Sequence, residues 1–117
     1  MLTQFEYKQL GPSFLVCKPE NAPVGNPFYK QKVVFTGDLE GWDRQTAAYL
    51  VQTLGGDVDQ QVSGKTDVVV IGKKPGPSKM EKVIDILASG KLLVVMNERV
   101  FNLETLPYLH LIGITNP

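Results

Sequence analysis

Val33-Val34-Phe35-Thr36-Gly37 runs three apolar residues of strand character into a threonine-glycine corner, and a helical pattern opens a few residues later at Arg44. Such a run is a strand that delivers a hydroxyl and an unobstructed backbone amide to the edge of a sheet. In open α/β sheets, ligands collect outside the carboxyl ends of the strands, where loops and helix amino ends converge. The corner is the candidate site, and the rest of the chain reads as what completes it.

Downstream of the corner, Leu39 to Asp43 forms a loop, with Asp43 placed to cap the helix that follows. Ala47, Leu50, Val51 and Leu54 fall at spacings of 0, 3, 4 and 7 and make one buried helical face. Gly55-Gly56 ends that helix, because glycine accepts the left-handed conformation of a helix end. Residues 57–62 are apolar only at Val58 and Val62 and predict a short, weakly specified strand. After the turn Ser63-Gly64-Lys65-Thr66, the run Val68-Val69-Val70-Ile71 predicts a strand buried on both faces, as parallel sheets require. A loop from Gly72 to Pro77 leads to Ser78 and Glu81, the spacing of a capping box. Met80, Val83, Ile84 and Leu87 repeat the helical face up to Gly90, and Leu92-Leu93-Val94-Val95 predicts a fourth strand. Asn97 is placed to cap a last helix carrying Val100 and Phe101, bounded by Pro107. The order β-α-β-β-α-β-α with apolar strands predicts an α/β domain whose parallel sheet is covered on both faces.

Upstream, residues 1–17 show no sustained period, and Lys18 to Lys30 carries Pro19, Pro23, Gly25 and Pro27, which disfavours helix and central strand alike. Three segments are expected: a leader and linker over 1–30, a domain over 31–107 and a tail over 108–117. The 117 residues suffice for one cored domain, and no internal repeat is present. Twelve basic side chains balance twelve acidic ones, so no global field draws the chain onto a polyanion, and any such affinity is local. Cys17 is the single cysteine and His110 the single histidine, which excludes an intrachain disulfide and a multi-cysteine metal site. No apolar run approaches the roughly 20 residues that span a bilayer, and the first residues lack a signal-peptide pattern, so an intracellular protein without a membrane partner is expected.

Phe35-Thr36-Gly37, Arg44 opening one helix, Gly55-Gly56 closing it, Thr66-Asp67-Val68-Val69-Val70, and Ser78-Lys79-Met80-Glu81-Lys82 opening the next helix stand together in an order and spacing that resemble a BRCT domain. The resemblance covers roughly Lys32 to Leu106. It is narrowest to the single BRCT domains of bacterial NAD-dependent DNA ligases, of the clamp-loader large subunit and of DNA polymerase III epsilon-like exonucleases. It implies a four-stranded parallel sheet of strand order 2-1-3-4 flanked by three helices. In that subgroup a phosphate is held by the corner after the first strand and a lysine at the start of the second helix, with an arginine close by. The matching positions are Thr36, Gly37, Arg44 and Lys82, with Lys79 one turn before Lys82. Phe101 stands where many members carry a tryptophan, and phosphopeptide-reading members usually come in tandem, whereas this chain holds one copy.

The corner's chemistry also stands by itself. A hydroxyl, a glycine amide without a Cβ and an ammonium near a helix amino end are donors suited to phosphate oxygens. Against this, Thr36-Gly37 is equally a plain turn and Arg44 a solvated first-turn residue. Lys79, Lys73, Lys74 and, more weakly, Lys65 are candidates for flanking contacts or solvated loop residues. Trp42 is either a packing plug or a stacking surface. Asp38, Glu40 and Asp43 do not form a catalytic or metal-binding set, the loop at Gly72 lacks a Walker pattern, and neither Cys17 nor His110 has a nucleophile's context. No metal, cofactor or catalytic residue is expected. The expected function is a non-catalytic BRCT module of a replication or repair protein, itself part of a larger chain such as an exonuclease or a ligase. It would bind DNA ends through a 5′-phosphate, in the cytoplasm and nucleoid of a bacterium or the nucleus of a eukaryote. The alternative partner is a phosphorylated or unmodified protein.

Overall fold

The structure, a computed structural model, describes residue 23 and residues 25–114. The readings made for residues 1–17, Cys17 among them, and for most of the leader lie outside the described residues. The elements are β1 (Lys32–Thr36), α1 (Arg44–Thr53), β2 (Asp57–Asp59), β3 (Val68–Ile71), α2 (Pro77–Ala88), β4 (Val94–Asn97), α3 (Glu98–Thr105) and a 3₁₀ segment, Leu106–Ile112. All strand pairs are parallel and the order is β2-β1-β3-β4. The fold expected from the sequence is the one observed.

Strand alternation splits the core in two. Val33 and Phe35 point to the face covered by α1 and α3, where Ala47, Leu50, Val51, Leu54 and Phe101 are buried. Val34 and Val69 point to the other face, which Val83 of α2, Val62 and Leu93 close. Phe101 sits at the centre of the thicker layer and takes Phe28, Phe35 and Trp42 edge-on, with ring centroids 5.7, 5.6 and 5.4 Å away. Trp42 also donates from Nε1 to Asn102 Oδ1 at 2.7 Å, so it is a packing residue that ties the loop after β1 to α3. Glu98 strengthens that tie by accepting from the amides of Glu40 and Gly41, both at 2.7 Å.

Several local expectations are corrected. On α2, Ile84 is 60% and Leu87 45% exposed, and the buried side is carried by Val83 with the half-buried Ile86. The apolar stripe of this helix is wider than the narrow sheet face it meets, since β1 and β3 supply one buried valine each there. Twelve residues of helix run about 18 Å, against about 13 Å for a four-residue strand. The capping box does not form: Gly76 holds the N-cap and Pro77 opens the helix, where its missing amide costs nothing, which leaves Ser78 inside the first turn. Asp43 holds the N-cap position of α1 but makes no side-chain cap bond, whereas Asn97 caps α3 by accepting from Val100 N at 2.9 Å. The fourth strand begins at Val94, opposite Val68, rather than at Leu92, and as the edge strand leaves Val94 48% and Val95 42% exposed. The second strand stops at Asp59, and Val62 is buried in the loop beyond it.

Packing reaches past both ends of the expected 31–107 segment. Phe28 is fully buried, and Asn26 clips its stretch to the end of α1 by donating to Leu54 O at 3.0 Å while accepting from Phe28 N at 2.8 Å. At the other end the 3₁₀ segment buries Ile112 and lays Tyr108 and Leu109 against the same cluster.

Candidate phosphate site at the carboxyl end of the first strand

Gly37 turns the chain out of β1 with φ of +82°, and a Cβ there would come within 2.6 Å of Lys73 O. The close approach exists because Asp38 and Lys73 exchange backbone hydrogen bonds, both 2.8 Å, in an antiparallel bridge beyond the parallel ladder. Gly72 faces the same constraint, with Asp38 O 2.4 Å from the position of its missing Cβ. The corner is thus rigid, and glycine is required on both sides of it.

Three of the cations named from the sequence converge there. Arg44 opens α1 and donates from Nη2 to Gly37 O. Lys79, in the first turn of α2, reaches Phe35 O at 3.4 Å. That carbonyl points toward β2, which has ended two residues too early to pair with it: Asp57 N donates to Gln31 O, and the register sets Val34 opposite Asp59. Burial pushes the Lys79 ammonium below its ordinary 10.5, and the neighbouring Arg44 charge lowers it further. Lys82, one turn on, lines the same open groove of ≈ 1150 Å³, which runs between α1, α2 and the β2 loop. Two like charges pressed together at the mouth of a groove are stabilised by an anion there.

Thr36 is 1% exposed and its Oγ1 has no hydrogen-bond partner. By alternation it shares the α2 face with Val34, just under the corner. The other candidates are not brought in. Lys73 pairs with Glu40, whose carboxylate raises its pKa first by hydrogen bonding and then by charge. Lys74 is exposed on the loop with φ of +51°. Lys65 lies three residues before β3, beyond the amino edge of the sheet and opposite the corner.

Sequence reasoning passed over the groove's amides. Gln45, Gln52, Gln60 and Gln61 line it, and Gln52 is 7% exposed with Oε1 lacking a partner. The signal available was the stride Arg44, Ala48, Gln52, which sets all three on one face of α1. Among the described residues, no group of three or more His, Cys, Asp or Glu side chains is placed to hold a metal ion, and no helix is long and apolar enough to cross a membrane.

The model of the BRCA1 C Terminus (BRCT) domain family matches residues 23–85. The chain belongs to the BRCT family. Curated relatives include the DNA ligase of Chlorobaculum tepidum, 48% identical over 67 residues that make up 57% of this chain and 10% of that protein. The DNA ligase of Persephonella marina is 40% identical over 81 residues, 69% of this chain and 11% of that protein. The chain therefore spans about a tenth of the length of the curated relatives it matches. Among solved structures, the C-terminal BRCT domain of human XRCC1 superposes with a TM-score of 0.51 at 16% identity, covering 81% of this chain and 90% of that one. The BRCT fold is itself non-catalytic, and the match begins at residue 23, which agrees with Asn26 and Phe28 belonging to the packed unit.

Proposed function

We propose that this BRCT domain is a non-catalytic module of a DNA replication or repair protein that binds DNA ends through a 5′-phosphate, held by Arg44, Lys79 and Lys82 beside the Thr36-Gly37 corner. The observation that carries this reading is the convergence of Arg44 and Lys79 on one strand end, each cation donating to a backbone carbonyl there. The Thr36 hydroxyl at the same strand end is buried without a partner. Charge-assisted bonds contribute about 1.5 to 3 kcal/mol each, so three of them support a weak to moderate complex once association costs are met. The ligase relatives support DNA as the phosphate's carrier and a larger parent such as a ligase, in a compartment that holds DNA.

The test compares a duplex bearing a 5′-phosphate with the same duplex ending in a 5′-hydroxyl. The phosphorylated end is expected to bind at least tenfold more tightly, with the preference lost in Lys79→Ala and Arg44→Ala and retained in Lys65→Ala. Equal binding of both ends, with a phosphoserine peptide held tightly by the same residues, would assign the pocket to protein recognition.

A further inference from the structure

The groove does not end at the cations. From Arg44 it follows α1 through Ala48 to Gln52, eight residues or about 12 Å along the axis. Its character changes along that path. Past the cations the lining residues include Gln45, Gln60 and Gln61 together with the apolar Ala48 and Val58. At the far end Asp57 and Asp59 are matched by Lys32, at 2.7 and 3.9 Å, so this lysine is already paired rather than open to a second phosphate. Gln52 closes the wall, almost fully buried, with its Oε1 unpartnered. A buried amide oxygen without a partner costs about 1 to 3 kcal/mol of desolvation, a cost that a ligand donating to it would relieve.

A ligand matched to this path has one anionic end and then a neutral, flat body whose edges donate and accept while its faces are apolar. That is a nucleotide read from its 5′-phosphate outward. Glutamine amides pair with base edges through donor and acceptor together. An extended peptide fits less well, since it draws its affinity from a row of free main-chain groups. Here β2 is three residues long, and the carbonyl left unpaired past its end, Phe35 O, accepts from Lys79.

Resting on the phosphate reading above, we infer that the amide-lined groove between Arg44 and Gln52 is a subsite for the unpaired 5′-terminal nucleoside of a DNA end. Gln52 bonds the edge of its base. The domain accordingly recognises an end nucleotide, rather than a phosphate in isolation, and favours ends whose terminal base is free to leave the stack.

The experiment titrates the full chain with duplexes carrying a one-nucleotide 5′ overhang, the 5′-phosphate present throughout. One duplex has a normal overhanging base, one has an abasic residue at that position, and a third, with the normal base, ends in a 5′-hydroxyl as the reference. The abasic end is expected to bind about tenfold more weakly than the normal one. Gln52→Leu, which keeps the volume, is expected to bind both phosphorylated ends equally while retaining the preference for phosphate over hydroxyl. Because Gln52 is buried, its thermal midpoint is measured alongside, and Gln45→Ala with Gln61→Ala on the exposed wall is expected to reduce the base-dependent part with folding unchanged. Equal binding of normal and abasic ends, with phosphate preference intact, overturns the subsite and leaves the phosphate reading standing. Loss of phosphate preference in the wild type overturns both. A phosphoserine peptide that outcompetes the overhang duplex and is weakened by Gln52→Leu also overturns the nucleoside assignment, by giving the groove to a peptide.

Discussion

Lys79 is the residue at which chemistry and pH meet. Its pKa is lowered from 10.5 by burial and then by Arg44, so between that lowered value and 10.5 the folded chain binds fewer protons than the unfolded one. Stability from this group therefore rises with pH across that window and is lowest where Lys79 is charged. A phosphate needs the charged form, so affinity runs the other way. The preference for 5′-phosphate should fade as pH climbs toward the lowered Lys79 value, and in Lys79→Arg, whose guanidinium stays charged, any preference that survives should be flat over the same range. A titration series from pH 7 to about 10 checks it. Gly37 carries a different constraint. With φ at +82° and Lys73 O in the way of a Cβ, Gly37→Ala should cost at least about 1 to 2 kcal/mol from the left-handed backbone alone, seen as a lower denaturation midpoint. A midpoint equal to the wild type would show that the Asp38–Lys73 bridge yields.

At the scale of elements, the two long helices looked alike and pack differently. Leu54 on α1 is fully buried and Ile84 on α2 is mostly exposed. Leu54→Ala is expected to cost about 2 to 5 kcal/mol, whereas Ile84→Ala should stay within about 0.5 kcal/mol, both read from urea unfolding. Phe28 tests the boundary in the same way. Phe28→Ala should cost about 3 to 5 kcal/mol, because the ring is buried edge-on against Phe101. The periodicity of α2 was legible, but the width of the surface it meets was not. A hydrophobic stripe says which residues can be buried, and only the partner's breadth decides how many are.

For the whole molecule, a net charge of zero makes any polyanion contact local, and the proposed site offers the cluster of Arg44, Lys79 and Lys82 for it. With about three phosphate-facing cations, the logarithm of the DNA association constant should fall against the logarithm of salt with a slope of about −3, far shallower than for a protein that tracks a duplex. A steeper slope would mean that Lys73, Lys74 or Lys65 also meets the backbone. The strands, α1, the order of elements and the Thr36-Gly37-Arg44 part of the corner were determined by the chain alone, because strand runs, helical spacing and glycine stops are local and recur at fixed offsets. Strand boundaries at the sheet edges, the half-bare face of α2 and the anchoring roles of Phe28 and Ile112 were decided only by the tertiary structure, since each depends on what a distant segment covers. The same holds inside the site. Sequence placed Lys73, Lys74, Lys79 and Lys82 within ten residues, yet Glu40 takes Lys73, and α2 turns Lys79 and Lys82 toward Arg44. Gln52, eight residues from Arg44, lines the same groove because α1 lays both on one face, an arrangement set by packing rather than by any motif.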